Sequence, residues 1–113
     1  MDVLFANGKL QKLCNSAKEL QRKFGKKMAA RIQQRIAELA AAPTLKDMEK
    51  LPAARCHELL ENLSGKFAVK LIDPERMIFE PAHNPVPRLK AGNVDTTQAT
   101  KITILAMVDY HGK

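Results

Sequence analysis

The chain has 113 residues, with 19 Lys and Arg against 12 Asp and Glu, for a net charge of +7. This length predicts a single domain over residues 1–113 with a modest core. No apolar run approaches the roughly 18–20 residues that cross a bilayer, which argues against a membrane protein. The N-terminus also lacks a basic segment followed by a long apolar one, so we expect a cytoplasmic protein without a signal peptide. Cys14 and Cys56 lack metal-ligand spacing and are expected to be free thiols.

The positive charge is concentrated in one segment. Nine basic residues lie between Lys9 and Arg35 with only one acidic residue, Glu19, so this segment carries +8 and the rest of the chain −1. Such a segment suits a polyanion, because phosphates attract it at long range and release counterions on binding. The alternative is a solvated helix face that only aids solubility. Charge alone does not distinguish RNA, DNA, an acidic membrane surface or an acidic protein.

The first predicted elements are a strand and helices. Residues 2–6 form a short apolar stretch typical of a strand, and a brief helical segment follows, ending near Asn15. Ser16 is then expected to cap a long helix, with Glu19 completing a capping box. Pro43 should end that helix, because proline cannot continue it.

The long helix is expected to be amphipathic. Its apolar residues recur four positions apart, which indicates a face packed on the core. These residues are Leu20, Phe24, Met28, Ile32 and Ile36. The basic residues expected on its other faces are Arg22, Lys23, Lys26, Lys27, Arg31 and Arg35. Gly25 costs this helix about 1 kcal/mol relative to Ala, and would allow a bend or close packing.

The remaining chain predicts strands joined by short turns, which imply antiparallel hairpins. After a turn of helix near 44–48, the predicted strands are 55–59, 67–72, 77–81 and 102–108. The last strand is nearly all apolar and should be central. Segment 82–99 is rich in Pro, Gly, Asn and Thr, and is interpreted as a long excursion rather than an element. The order predicts an α+β fold, with the N-terminal strand and helices packed on one face of an antiparallel sheet.

The most suggestive polar cluster follows the last strand. Asp109, Tyr110 and His111 can all move protons or bind phosphate, and Asp109 and His111 would share a side if the strand continued. RNA cleavage by its own 2′-OH needs a base, groups that stabilise the phosphorane, and an acid for the leaving oxygen, but no metal. Tyr110 could also stack on a base, whereas Phe79 is expected in the core. A frayed, solvated C-terminus is the alternative.

A second candidate site surrounds His57. Strict alternation along a strand would place Arg55 and His57 on one face, an arrangement that suits phosphate. Lys66, Lys70 and Arg76 lie in or beside the neighbouring hairpins and could add positive charge. Solvated side chains on an uncovered face are the alternative interpretation.

Over nearly its whole length the sequence resembles the HigB branch of the RelE/ParE toxin superfamily. The resemblance rests on the basic helical hairpin and on the stretches Leu45-Lys46-Asp47-Met48, Leu51-Pro52, Arg55-Cys56-His57, Asn62-Leu63-Ser64-Gly65 and Val108-Asp109-Tyr110-His111. It implies a RelE-like fold and active-site residues at His57, Asp109, Tyr110 and His111, with Arg76 on the scissile phosphate. The sequence departs from the family at Leu60, where a lysine is common, and in the length of segment 82–99.

The resemblance further implies a ribosome-dependent endoribonuclease that cleaves messenger RNA in the A site without metal or cofactor. A helix-turn-helix antitoxin similar to HigA would block it and repress the operon, and the two could form a heterotetramer. The residues predicted to bind phosphate or RNA are Arg55, Lys66, Arg76, Lys23, Lys26 and Lys27.

Two other functions remain open. One is inhibition of DNA gyrase without nuclease activity, in the manner of the ParE branch, which does not need the terminal Asp-Tyr-His. The other is a nucleic-acid-binding module without catalysis. In that module Lys23, Lys26 and Lys27 would matter, and the histidines would not.

Overall fold

A computed structural model describes residues 1–109, in which five strands form one sheet of order β1-β5-β4-β3-β2. The strands are β1 (Asp2–Phe5), β2 (His57–Glu58), β3 (Phe67–Lys70), β4 (Glu75–Pro81) and β5 (Lys101–Asp109). The last strand lies between two others, which confirms its predicted interior position. The β5-β4-β3-β2 pairings are antiparallel, whereas β1 pairs with β5 in parallel. The sheet is therefore mixed, with helices leading away from β1 in the crossover that parallel pairing requires.

The helices described are α1 (Gly8–Cys14), α2 (Ala17–Phe24), α3 (Lys26–Ala41) and α4 (Leu45–Glu49). The prediction of one long helix is wrong, because Gly25 separates α2 from α3. Its φ of 85° and ψ of 163° lie in a region that is essentially restricted to glycine. α2 and α3 consequently contact each other as a helical hairpin. Within residues 1–109, no helix is both long and apolar enough to cross a membrane.

Ser16 caps α2, but the predicted capping box is only half formed. The Ser16 hydroxyl accepts a hydrogen bond from the Glu19 amide at 3.1 Å. The Ser16 amide donates to the carbonyl of Leu13 at 3.2 Å, so it is already satisfied. The Glu19 carboxylate instead accepts from Arg22 at 3.2 Å.

The main core lies between the helices and one face of the sheet, which we call the helix-covered face. Fully buried members include Leu20, Ile32, Leu39, Phe67, Met77, Phe79, Ile102 and Ile104. Phe24, Met28 and Ile36 are partly buried against this cluster, so the predicted apolar stripe is confirmed. Phe79 stacks on Phe67 with ring centroids 5.8 Å apart, which confirms its placement in the core.

Arg35 contradicts the prediction that all basic residues of this segment face away from the core. Its side chain is only 1% exposed and lies one turn after Ile32 on the buried side of α3. Nε donates to the Lys70 carbonyl at 2.7 Å, Nη2 to the Ala53 carbonyl at 2.9 Å, and Nη1 to Glu38 at 2.9 Å. The charge is tolerated because the planar guanidinium finds acceptors in three directions. Arg35 thereby ties α3 to β3 and to the turn before β2.

Segment 82–99 contains no helix or named strand, as predicted, but it is tied to the fold. Val94 and Ala99 are buried in the main core. The Val94 amide donates to the Glu58 carboxylate at 3.2 Å, and the Leu45 amide donates to the Ala99 carbonyl at 2.9 Å. The excursion therefore packs along α4 and the short strand β2.

Candidate functional site

The face of the sheet opposite the main core, here called the second face, carries a smaller apolar cluster. Its buried members are Leu59, Ala68 and Ile78, with Leu63, Leu105 and Val108 packed against them. Side chains alternate between the two faces along β3 and β4. Residues that alternate with Phe67 and Phe79 therefore belong to the second face.

Three cations lie on or beside the second face, and each is paired. Lys70 and Arg76 are cross-strand partners, one position beyond core residues of β3 and β4. Lys70 lies 3.3 Å and Arg76 2.9 Å from carboxylate oxygens of Asp73, and Lys66 lies 3.8 Å from Glu80. The hydrogen bonds from Arg76 and then Lys70 hold the pKa of Asp73 below its ordinary 3.8. Three cations against two carboxylates leave this group with one net positive charge.

His57 lies on the second face at the edge of the sheet. It is the cross-strand partner of Ala68, and its side chain is exposed. Ring atom Nδ1 is 2.8 Å from the carbonyl oxygen of Arg55. Because a carbonyl can only accept, Nδ1 must carry the hydrogen in this contact. A neutral His57 would then present Nε2 as a proton acceptor, which is the form that a general base needs.

Arg55 is not in a strand, so the predicted alternation of Arg55 and His57 is wrong. The strand expected over 55–59 is limited to His57 and Glu58. Arg55 follows a 3-10 turn at Pro52–Ala54 and has left-handed φ and ψ of 47° and 46°. This conformation ends the turn and redirects the chain into β2.

Asp109 ends β5 beyond an irregularity that decides its face. The register with β4 skips Leu105, so the strand contains a bulge there. Ile104 before the bulge and Met107 after it both contact the main core, whereas Val108 joins the second-face cluster. Asp109 follows Val108 and therefore has the direction of Met107, towards the helix-covered face.

The structure does not bring His57 and Asp109 together. They lie on opposite faces, and β2 and β5 are three strand spacings apart, or about 14 Å. Arg76 is nearer to Asp109, since its cross-strand partner on β5 is Val108, the residue before Asp109. Tyr110 and His111 lie outside the described residues.

One solved structure has a similar fold. The YoeB/ParE toxin from Agrobacterium tumefaciens matches with a TM-score of 0.53 at 9% sequence identity, over 98% of this chain and 100% of that chain. The fold resembles that of a YoeB/ParE toxin. At this identity the similarity concerns the fold alone, and it does not single out the HigB branch. No family model and no curated protein matches the sequence.

A groove lies between α1, α2 and β5. Its apolar lining includes Leu10, Leu13, Phe24 and Met107, and its basic residues are Lys9, Lys12, Arg22 and Lys23. Glu19 is the one acidic lining residue, and it pairs with Arg22 at 3.2 Å. The groove therefore offers an apolar floor beside an excess of positive charge.

The lysines predicted to bind RNA lie at the junction of the helical hairpin. Lys23 precedes the break at Gly25, and its ammonium lies 5.6 Å from the ring centroid of Phe24. Lys26 and Lys27 begin α3, and all three lysines are exposed. Their charges are therefore accessible to a polyanion, on a different part of the surface from His57.

Cys56, next to His57, is not a competent nucleophile. Burial, and secondarily the charge of Glu49, raises the pKa of its thiol to about 12. The thiolate is the reactive form, so reaction at neutral pH is suppressed. Both cysteines are free, and within residues 1–109 no three His, Cys, Asp or Glu side chains are placed to share a metal ion.

Sequence reasoning named Arg31 and Arg35 but missed the burial of Arg35 and the contact of both with the end of β3. Arg31 and Arg35 face the end of β3, where they bind the carbonyls of Leu71 and Lys70. A signal was present in the spacing, because Arg35 lies three residues after Ile32 and four before Leu39. These intervals place it on the buried stripe of α3.

Proposed function

We propose that this protein is a HigB-type toxin of a type II toxin–antitoxin system that cleaves messenger RNA in the ribosomal A site. The observation that carries the proposal is His57, held through Nδ1 by the Arg55 carbonyl, on a sheet face that bears Lys70 and Arg76. The similarity of the fold to a YoeB/ParE toxin supports it. The site of action would be the cytoplasm.

The proposed reaction uses the substrate's own nucleophile. A base takes the proton from a ribose 2′-OH, and the 2′-oxygen attacks the adjacent phosphorus. The bond from phosphorus to the 5′-oxygen breaks, an acid protonates that oxygen, and a 2′,3′-cyclic phosphate remains. No metal is required, because cationic side chains can stabilise the charge on the phosphorane.

We assign proton transfer to His57 or His111, and orientation or proton acceptance to Asp109. Tyr110 would position or stack on a base, with Arg55 and Arg76 on the phosphate. The position of Arg76 supports its assignment to the phosphate, because it pairs with the residue that precedes Asp109 and lies on the same face as His57. Lys66 would add positive charge to this face, whereas Lys23, Lys26 and Lys27 would contact the RNA away from the site of cleavage.

The proposed partner is a helix-turn-helix antitoxin, in a complex that could be a heterotetramer. The groove between α1, α2 and β5 favours this partner, because its apolar floor and positive charge suit an acidic, amphipathic antitoxin segment. Its apolar residues would contact one side of that segment, and Lys9, Lys12 and Lys23 would attract its charge.

The test is controlled expression in bacteria without antitoxin, with primer extension to map transcript ends. The chain contains three histidines, which supply a matched control. His83 accepts a hydrogen bond from the Thr100 amide through Nε2 at 3.0 Å, and His83→Gln retains an acceptor at that position. The wild type and His83→Gln should arrest growth and generate new 5′ ends within translated frames.

The double variant His57→Ala/His111→Ala should abolish both effects while its far-ultraviolet circular dichroism and unfolding transition remain native-like. Wild-type cleavage by this folded double variant would refute the assigned residues. Arrest without cleavage by the wild-type protein would refute the nuclease.

Gyrase inhibition without nuclease activity is the second candidate. The observation that favours it is the separation of His57 from Asp109, which leaves no acid–base pair between these two predicted residues. It predicts growth arrest with DNA damage and intact messenger RNA. A module that only binds nucleic acid would instead lose its effect on charge reversal of Lys23, Lys26 and Lys27, and would tolerate loss of the histidines.

A further inference from the structure

A cavity lies at the end of β3, between α3 and the 3-10 turn that precedes β2. Its volume is about 430 Å³, and it is lined by Arg31, Gln34, Arg35, Pro52, Ala53, Arg55 and Lys70. The cavity forms because β2 pairs only with Phe67 and Ala68, which leaves the end of β3 without a strand on that side. We propose that this cavity binds a phosphate group of an RNA strand.

Two of the positive charges that line the cavity have no acidic partner. Four of its seven residues are basic and none is acidic, but Lys70 is already paired with Asp73 at 3.3 Å. The nearest acid on α3, Glu38, is already engaged, since its two oxygens accept from Arg35 at 2.9 Å and from Gln34 at 3.2 Å. In residues 1–109, Arg31 and Arg55 form no ion pair, so two guanidinium charges remain available to an anion.

Arg35 gives the cavity a fixed positive charge in its wall, since its side chain is only 1% exposed. Its guanidinium has five N–H groups, of which three donate to acceptors within the described part of the chain. Two of those acceptors are main-chain carbonyls, so the group is fixed in place before any ligand arrives. This fixed charge would attract an anion, whereas hydrogen bonds to the phosphate oxygens would come from the guanidinium groups of Arg31 and Arg55, whose geometry matches them.

Arg31 and Arg55 approach the cavity from different elements. Arg31 belongs to α3, and its Nη1 donates a hydrogen bond of 3.2 Å to the Leu71 carbonyl, just after β3. Arg55 is exposed and follows the 3-10 turn in a left-handed conformation, which few residues other than glycine adopt. The same residue contacts His57 through its carbonyl. A phosphate in the cavity would therefore lie beside the residue that orients His57.

The choice of RNA as the source of the phosphate rests on the proposed function, so the test must not require cleavage. The probe is a single-stranded RNA of about eight nucleotides with 2′-O-methyl groups, which lacks the nucleophile. Its affinity is measured by fluorescence anisotropy at several salt concentrations. In a separate titration with inorganic phosphate, binding is followed by the changes in the protein's amide chemical shifts. If the protein is not a nuclease, binding of this RNA would be unaffected, and the failure of the proposed function would show only in the expression experiment.

The test variant is Arg31→Gln/Arg55→Gln. The control Lys46→Gln/Lys101→Gln removes the same charge from exposed positions outside the cavity. We expect the test variant to bind the RNA about tenfold more weakly, as for loss of hydrogen bonds to a charged group. The slope of log K against log salt should fall by about 0.7, the value for one phosphate on a single strand. The control should keep the salt slope of the wild type and bind the RNA within twofold of the wild-type affinity.

Equal affinities of test and control variants for the RNA would overturn the proposal. If the test variant lost only the shifts caused by inorganic phosphate, the cavity would bind free phosphate, which would overturn its assignment to RNA. Unfolding transitions establish that each variant is folded. Arg31→Lys/Arg55→Lys keeps the charge and tests the same site if the glutamine pair fails to fold, with an expected affinity between wild type and test variant.

Discussion

Replacement of Arg35 by methionine should be among the most destabilising single changes in this chain. Methionine retains an unbranched apolar chain but removes the bonds to Lys70, Ala53 and Glu38. The side chain is 1% exposed, so water cannot replace these bonds without a rearrangement of α3 and the turn. Breaking a buried pair by removal of one partner costs about 3–5 kcal/mol, and we expect a loss in this range.

The measurement is thermal and urea unfolding followed by circular dichroism. In a domain of this size, about 1 kcal/mol corresponds to roughly 4 °C, so Tm should fall by about 12–20 °C. Arg22→Met is the matched control, because Arg22 and its partner Glu19 are 64% and 48% exposed. Exposed pairs contribute about 0.2–1 kcal/mol, so this change should lower Tm by less than about 4 °C.

A loss below about 1 kcal/mol for Arg35→Met, or a loss equal to that of Arg22→Met, would refute the reasoning. Glu38→Gln separates the ion pair from the main-chain bonds, because it keeps an acceptor and removes the charge. We expect it to cost about 1 kcal/mol, since Glu38 is 25% exposed. The double variant should then cost less than the sum of the two single changes, as expected for residues in contact.

Three further predictions concern Gly25, Asp47 and the two cysteines. Gly25→Ala should cost about 1–3 kcal/mol in urea unfolding, because an added Cβ meets open space and only the backbone is strained; Gly8→Ala, at a position without positive φ, should cost none. The hydrogen bond from the Thr44 side chain lowers the pKa of Asp47 below 3.8, so its stabilisation is present above that pH and is lost as pH falls through the folded value. The stability gap between wild type and Asp47→Asn should therefore be present at pH 6 and close on acidification; a gap independent of pH would contradict this. Burial raises the thiol pKa of Cys14 to about 11 and that of Cys56 to about 12, so iodoacetamide at pH 7.5 should modify both far more slowly than free cysteine, and the rates should equalise in urea.

The sequence by itself determined the α+β class, most element positions and the interior place of the last strand. These features depend on local information. The Ser16 cap acts within one turn, the apolar stripe of the helices follows a 3.6-residue period, and Pro43 follows the end of α3. The nearly all-apolar run of residues 102–108 indicated an interior strand. The same local reasoning singled out His57, which the structure places on the second face with Lys70 and Arg76.

Only the tertiary structure decided how these elements and side chains meet. The parallel pairing of β1 with β5 joins segments a hundred residues apart, so no local pattern encodes it. The bulge at Leu105 turns Asp109 to the helix-covered face. Side chains along a strand alternate between the two faces, so one extra residue moves every later side chain to the opposite face. Arg35 is buried because acceptors from β3 and from the turn before β2 converge on it, and these become neighbours only when the chain folds.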